Sequence, residues 1–141
     1  MNLNYFQTLI LVADDCPVTH GTPPSERGGK PTVASLQYEM LAAHPHVHTQ
    51  EDILFQTWLQ RQELPKQPSA NELARLRAEF FAKPQACLRA SPLPKKYGFG
   101  IVFDKEGKAA LCPMESPEYQ RLAAGKVGEM KLVKAMRSQR A

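Results

Sequence analysis

The chain has no apolar run near the roughly 18 residues that a bilayer-spanning helix needs; its longest, residues 9–13, is the size of a strand. The first residues lack the basic flank and small-residue cleavage site of a secretory leader, so the expected compartment is the cytoplasm, with no membrane partner. Cysteine is scarce: Cys16, Cys87 and Cys112 are an odd number, widely spaced, with no C-x-x-C pair. Neither a disulfide scaffold nor a zinc ribbon is built that way, and each thiol reads as a small buried hydrophobe. Internal repeats and low-complexity segments are missing as well.

What is present suits one globular domain over residues 1–141, since 43% of the residues are hydrophobic and can form a core. The net charge of +4 conceals an asymmetry. Residues 1–70 carry 4 Lys/Arg against 7 Asp/Glu, and residues 71–141 carry 14 against 7. A basic half attracts phosphates or acidic partners through its summed field, although no basic block is long enough to read as a nucleic-acid arm.

The periodicity predicts a mixed order of elements. Residues 5–13 read as a strand, closed by Asp14-Asp15-Cys16-Pro17. Pro17, Gly21, Pro23, Pro24, Gly28, Gly29 and Pro31 then forbid regular structure. Val33, Leu36, Met40 and Leu41 mark one face of a helix over 32–43, ended by His44 ahead of Pro45. Thr49 with Asp52 opens a second helix as a capping box, with Ile53, Leu54, Phe55, Trp58 and Leu59 as its buried stripe. Ser69 or Asn71 caps a third, with Leu73, Leu76, Phe80 and Phe81 apolar. Beyond Pro84 the expectation is a strand over 86–90, a turn over 91–96, a strand over 97–103, a hairpin loop at Asp104-Lys105-Glu106-Gly107 and a strand over 108–112. Ser116-Pro117 starts a helix that ends at Gly125, and residues 130–141 read as a turn or two of basic helix. The fold class is therefore α+β. A three- or four-stranded antiparallel sheet should carry the helices of residues 32–82 on one face, with the first strand paired to part of 86–112.

The segments NYFQTLILVADDCPV, GGKPTVASLQYEML, EDILF, FFAKPQACLRASPLPKKYGFGIVFD, GKAAL, ESPEYQRL and KAMRSQRA cover most of the chain. In these the chain resembles an uncharacterised bacterial family known only as a domain of unknown function. The resemblance implies a stand-alone cytoplasmic domain without an assigned activity, and it supplies no site residues.

Chemistry must then be read from the residues. Arg27-Gly28-Gly29-Lys30 lies between a strand and a helix, where backbone N–H groups and the helix dipole hold anions. A Walker loop needs Gly at position 24 and Ser or Thr at position 31; the chain has Pro24 and Pro31 there, which argues against nucleotide hydrolysis. The simpler reading is a turn. His44, His46 and His48 alternate as transition-metal ligands can, but no acid or cysteine stands beside them in sequence to complete a four-ligand set. No metal and no cofactor is called for. Cys16 with Asp14, Asp15 and His20 lacks the cationic neighbour that activates a thiolate. Lys95 and Lys96 precede Tyr97, Phe99 and Ile101, which share one strand face. That face either stacks single-stranded nucleic acid or belongs to the core, with Gly98 and Gly100 admitting a helix on the other side.

The functional expectation is a non-enzymatic binding module for an anionic partner, a phosphate-bearing small molecule or nucleic acid. Its contacts would be Arg27, Gly28, Gly29, Lys30, Arg89, Lys95 and Lys96, assisted by Lys131, Lys134 and Arg137. The alternative is a small enzyme with its site between the 16–30 loop and the 97–112 hairpin, using Asp15, His20 and Lys30. No residue is assigned as catalytic.

Overall fold

The computed structural model describes residues 4–25, 31–62, 64, 66–125, 128 and 130–137. The elements run β1 (Thr8–Leu11), α1 (Val33–Ala43), α2 (Gln50–Gln60), α3 (Ala70–Ala82), a 3-10 turn (Leu88–Ala90), α4 (Pro92–Lys96), β2 (Phe99–Phe103), β3 (Ala109–Pro113), α5 (Pro117–Ala123) and β4 (Lys131–Lys134). Among the described residues the four strands form one sheet, in the order β3-β2-β1-β4. The α+β class is the one the sequence predicts.

Alternation along the strands divides the core in two. Ile10, Phe99, Ile101, Phe103 and Ala109 face Met40 and Leu41 of α1 and Ile53 of α2. Leu9, Val102, Ala110 and Cys112 face Tyr119 and Leu122 of α5. With helices on both sides, all five residues of β2 are buried, which is why its sequence shows no polar alternation. α3 forms an outer layer, held through Phe80 against Phe55 and Trp58 of α2, with ring centroids 5.9 and 5.5 Å apart.

The first strand pairs antiparallel with β2, Leu9 opposite Val102, as expected. The sheet is not wholly antiparallel, however. Residues 131–134 are a strand, not basic helix, and pair parallel to β1 with Leu9 opposite Leu132. The reason is tertiary. Without β4 the second edge of the buried β1 would leave N–H and C=O groups unpaired, and the chain returning over α5 supplies them. Leu132 then joins one half of the core and Val133 the other.

The second correction lies in residues 86–96. In place of a strand and a turn there is a 3-10 turn followed by α4. Ser91 caps α4 by accepting from Leu93 N–H, with Pro92 at its first position. The N–H of Leu88, which a strand would have given to a ladder, donates instead to buried Gln50 Oε1 at 2.8 Å. The hydroxyl of Ser91 donates to buried Gln37 Oε1 at 2.6 Å. Two glutamines on α1 and α2 thus set the path of this segment.

The caps predicted at Thr49, Ser69 and Ser116 hold, and Thr32, expected inside the first helix, caps it instead. Thr32 and Ser35 form a capping box on α1, Thr49 and Asp52 one on α2, and Ser69 and Ser116 cap α3 and α5. Gly125 ends α5 with φ +74°, and Gly107 turns the β2–β3 hairpin at φ +80°. Burial opposes ionisation of Asp52, but the Thr49 N–H and the Arg77 guanidinium, 3.1 Å away, outweigh it and hold the carboxyl below its usual range. A depressed folded value makes its stabilisation complete above about pH 4, the unfolded aspartate range, and lost as pH falls through the lower folded value. Asp52→Asn should therefore lose less stability than the parent chain between neutral pH and about pH 3. Urea midpoints at the two pH values measure this; parallel losses would show that Asp52 has no such role.

Candidate functional site

Of the residues the sequence singles out for anion binding, Arg27, Gly28, Gly29 and Lys30 lie outside the described residues. The helix they precede is described. At its N-terminus Thr32 Oγ1 accepts from Ser35 N–H at 3.1 Å, and Ser35 Oγ accepts from Thr32 N–H at 2.8 Å. Two of the N–H groups in this first turn are thus satisfied within the chain.

The remaining cations converge. Arg89 donates from Nε to the Lys134 carbonyl at 2.6 Å, and its own carbonyl accepts from Met136 N–H at 2.8 Å. Lys134 Nζ lies 3.0 Å from Asp14 Oδ1. Ala13 N–H, beside Asp14, donates to the Pro94 carbonyl at 2.9 Å, so Lys95 and Lys96 follow directly. Backbone pairing thus brings Arg89 beside Lys134 and Met136, next to Arg137 in sequence, and brings the chain that carries Asp14 beside the segment that leads into Lys95 and Lys96, at the C-terminal ends of β1 and β4. Lys131 is not among them. It begins β4, where its N–H bonds Gln7, three residues or about 10 Å along the strand from Lys134.

Lys95 and Lys96 occupy the last turn of α4, where cations also suit the helix dipole. Asp14 and Lys134 are both exposed, an arrangement worth at most about 1 kcal/mol and readily exchanged for another anion. Arg89 differs. Its Nε is committed to a carbonyl, while its two terminal nitrogens make no hydrogen bond among the described residues. That leaves a fixed two-pronged donor for a planar or tetrahedral oxyanion.

The Tyr97, Phe99 and Ile101 face is core. Phe99 and Ile101 are buried and Phe99 packs on Tyr38 with centroids 5.4 Å apart, so this face offers no platform for bases. A helix does approach the opposite side, where a Cβ on Gly100 would stand 2.8 Å from the Tyr119 ring.

The histidine segment has a structural use. His46 N–H donates to Ala109 C=O, and Ala109 N–H donates to His48 C=O at 2.7 Å, which covers part of the β3 edge. His46 Nδ1 lies 3.4 Å from Asp104, and the His44 and His48 rings touch at 5.8 Å. Among the described residues no group of three or more His, Cys, Asp or Glu is arranged to hold a metal.

Where the 16–25 loop meets the hairpin, Gly21 N–H donates to Glu115 Oε1 at 3.0 Å, and this bond lowers the Glu115 pKa. Thr22 N–H bonds Tyr97 C=O, and His20 is exposed. Beneath them burial, aided by the Glu118 charge, pushes the Cys112 thiol up to about 11, so it stays protonated and unreactive at neutral pH. The Tyr119 hydroxyl accepts from Val12 N–H at 2.9 Å, a buried bond that ties α5 to the end of β1. Nothing in the local pattern marks that tyrosine for this role beyond its place after a Ser-Pro cap.

The fold and surface define a small α+β domain with a mixed sheet sandwiched between helices. The chain belongs to a family of unknown function, DUF6157, whose profile matches residues 1–141. No curated protein and no solved structure matches it. Among the described residues no helix is long and apolar enough to cross a membrane.

Proposed function

We propose that the chain is a non-enzymatic binding module for a phosphate-bearing partner, which it holds on the cationic cluster at the C-terminal ends of β1 and β4. The observation that supports this reading is the anchored Arg89. Its side chain is oriented by the Lys134 carbonyl before any ligand arrives, so little rotamer freedom is left to lose on binding. Lys95, Lys96, Lys134 and Arg137 supply further positive charge around it, and Asp14 is the acid a phosphate would displace.

Titration with a mixed-sequence single-stranded oligonucleotide and with inorganic pyrophosphate, at about 50 mM and 200 mM salt, tests it. Binding should weaken steeply at the higher salt, because each phosphate contact releases a counterion. Arg89→Gln should cost about tenfold in affinity, the worth of one charge-assisted pair, whereas Lys131→Ala should cost under about twofold because it lies outside the cluster. Pyrophosphate binding without oligonucleotide binding restricts the partner to small molecules. If neither binds at the lower salt, the proposal fails.

A further inference from the structure

The stripe predicted for α2 places Trp58 in the core, yet the structure leaves it half-buried. Beside it is a cavity of about 330 Å³ between α1, α2, the end of α3 and the segment that carries the 3-10 turn and the start of α4. A second hollow of about 610 Å³ shares Trp58, Phe80 and Gln85 as its wall. The two aromatic rings, 5.5 Å apart, therefore stand between two openings where close packing would be ordinary.

Gln37 and Arg61 bring hydrogen-bond donors to the wall of the smaller cavity. Gln37 is only 4% exposed. Its Oε1 is used by Ser91, while its Nε2 makes no hydrogen bond among the described residues. No buried side-chain nitrogen or oxygen among them lacks a partner, so this Nε2 is reached from the cavity that Gln37 lines. Arg61, at the C-terminal end of α2, lines the same cavity and makes no ion pair among the described residues. The Thr57 hydroxyl is committed to Ile53 C=O at 2.6 Å, and the Gln85 amide nitrogen to Phe80 C=O at 2.7 Å, which leaves Gln85 Oε1 as an acceptor at the rim. Leu54, Trp58 and Phe80 supply flat apolar walls.

An amide donor that opens onto a cavity from a residue otherwise buried is available to a ligand acceptor that enters it. The volume is in the range of small-molecule sites, which pair apolar walls with a few convergent polar groups. We propose that this cavity binds a small aromatic carboxylate. Its ring lies against Trp58 and Phe80, and its oxygens accept from Gln37 Nε2 and the Arg61 guanidinium. The site is separate from the Arg89 cluster and does not depend on it.

Trp58 is the one tryptophan of the chain, so its fluorescence reports the two hollows it borders, and the Gln37 side-chain amide, which lines only the smaller, tells them apart. Titration with 1-naphthoate and with the uncharged 1-naphthalenemethanol, read by Trp58 quenching and by amide NMR shifts, tests the proposal. Naphthoate should bind at least about tenfold more tightly than the alcohol and should shift the Gln37 side-chain amide. Arg61→Gln, an exposed change that spares the fold, should remove about tenfold of naphthoate affinity and leave the alcohol unaffected. Arg89→Gln should change neither. Equal affinity for the two probes, saturation without a shift at Gln37, or indifference to Arg61→Gln would each overturn the assignment.

Discussion

Phe103→Ala is expected to lower the unfolding free energy by about 3–5 kcal/mol, as buried Phe truncations do. Phe103 is 0% exposed and heads the largest fully buried side chains. Its ring meets the edge of Tyr5, with centroids 5.5 Å apart, and Tyr5 in turn donates its hydroxyl to Cys87 Sγ at 3.5 Å. Burial and that bond raise the Tyr5 pKa to about 12, so the hydroxyl stays a donor across the usable pH range. Truncation would open a void where β2, the chain before β1 and the segment entering the 3-10 turn all meet. Set against a typical total of about 5–15 kcal/mol, such a loss is a large part of the whole. Urea denaturation followed by circular dichroism measures it, with Phe103→Leu as the comparison that keeps most of the volume and should cost clearly less. A loss under about 1 kcal/mol for the alanine variant would mean that the two halves of the core are not organised around β2.

Gly98→Ala should cost about 3 kcal/mol or more, because strain and a clash add together. Gly98 has φ +76°, a conformation that costs a residue with a Cβ about 1–2 kcal/mol. The new Cβ would also stand 2.5 Å from the His20 carbonyl oxygen and 2.9 Å from its carbon. Those are backbone atoms and cannot rotate away, so the 16–25 loop must shift, taking with it the Gly21 bond to Glu115 and the Thr22 bond to Tyr97. Gly125→Ala separates the two contributions. It has φ +74°, but its Cβ meets nothing within 4 Å, so only the conformational part, about 1–2 kcal/mol, applies. Thermal unfolding of both variants measures the difference. Equal losses would show that the loop is not seated on Gly98.

Arg61 lines the cavity beside Trp58, whereas Arg89 and Lys131 do not, which lets the two binding proposals fail independently. A chain that binds naphthoate through Gln37 and ignores pyrophosphate would be a small-molecule binder whose basic half is only a solvated face. One that binds pyrophosphate and ignores naphthoate would leave the Trp58 hollow as an imperfection of packing.

The elements that were legible in the chain share one property: their determinants are local. Thr49 reaches Asp52, Ser69 reaches Glu72 and Ser116 reaches Tyr119 within a single turn of helix. Gly107 and Asp104 close the hairpin among five consecutive residues. Spacing alone also put Phe99 and Ile101 on one face and Gly98 and Gly100 on the other. Such interactions depend on side chains a few positions apart, which is the range over which sequence patterns are informative.

The two errors of expectation have the opposite character. Ser91-Pro92 carries the same capping signal as Ser116-Pro117, but the prolines and lysines after it read as a turn until Gln37 and Gln50, 54 and 38 residues away from their partners, take up its polar groups. Residues 131–134 have no strand pattern of their own worth the name, since two apolar residues between lysines suit a helix equally well. What makes them a strand is the open edge of β1, more than a hundred residues earlier.

The functional reading divides along the same line. Local patterns are enough for the α+β class, for the caps at Thr49, Ser69 and Ser116, for the turns at Gly107 and Gly125, and for the concentration of positive charge in the second half. Long-range pairing sets β4 parallel to β1, and with it Lys134 on Asp14 and Arg89 on the Lys134 carbonyl, while Lys131 stands apart. Only tertiary packing decides that Gln37 and Arg61, on two different helices, line one hollow beside Trp58. Long-range pairing satisfies backbone groups and buries apolar area that no local segment can satisfy or bury alone, and those pairings set which distant side chains share a surface.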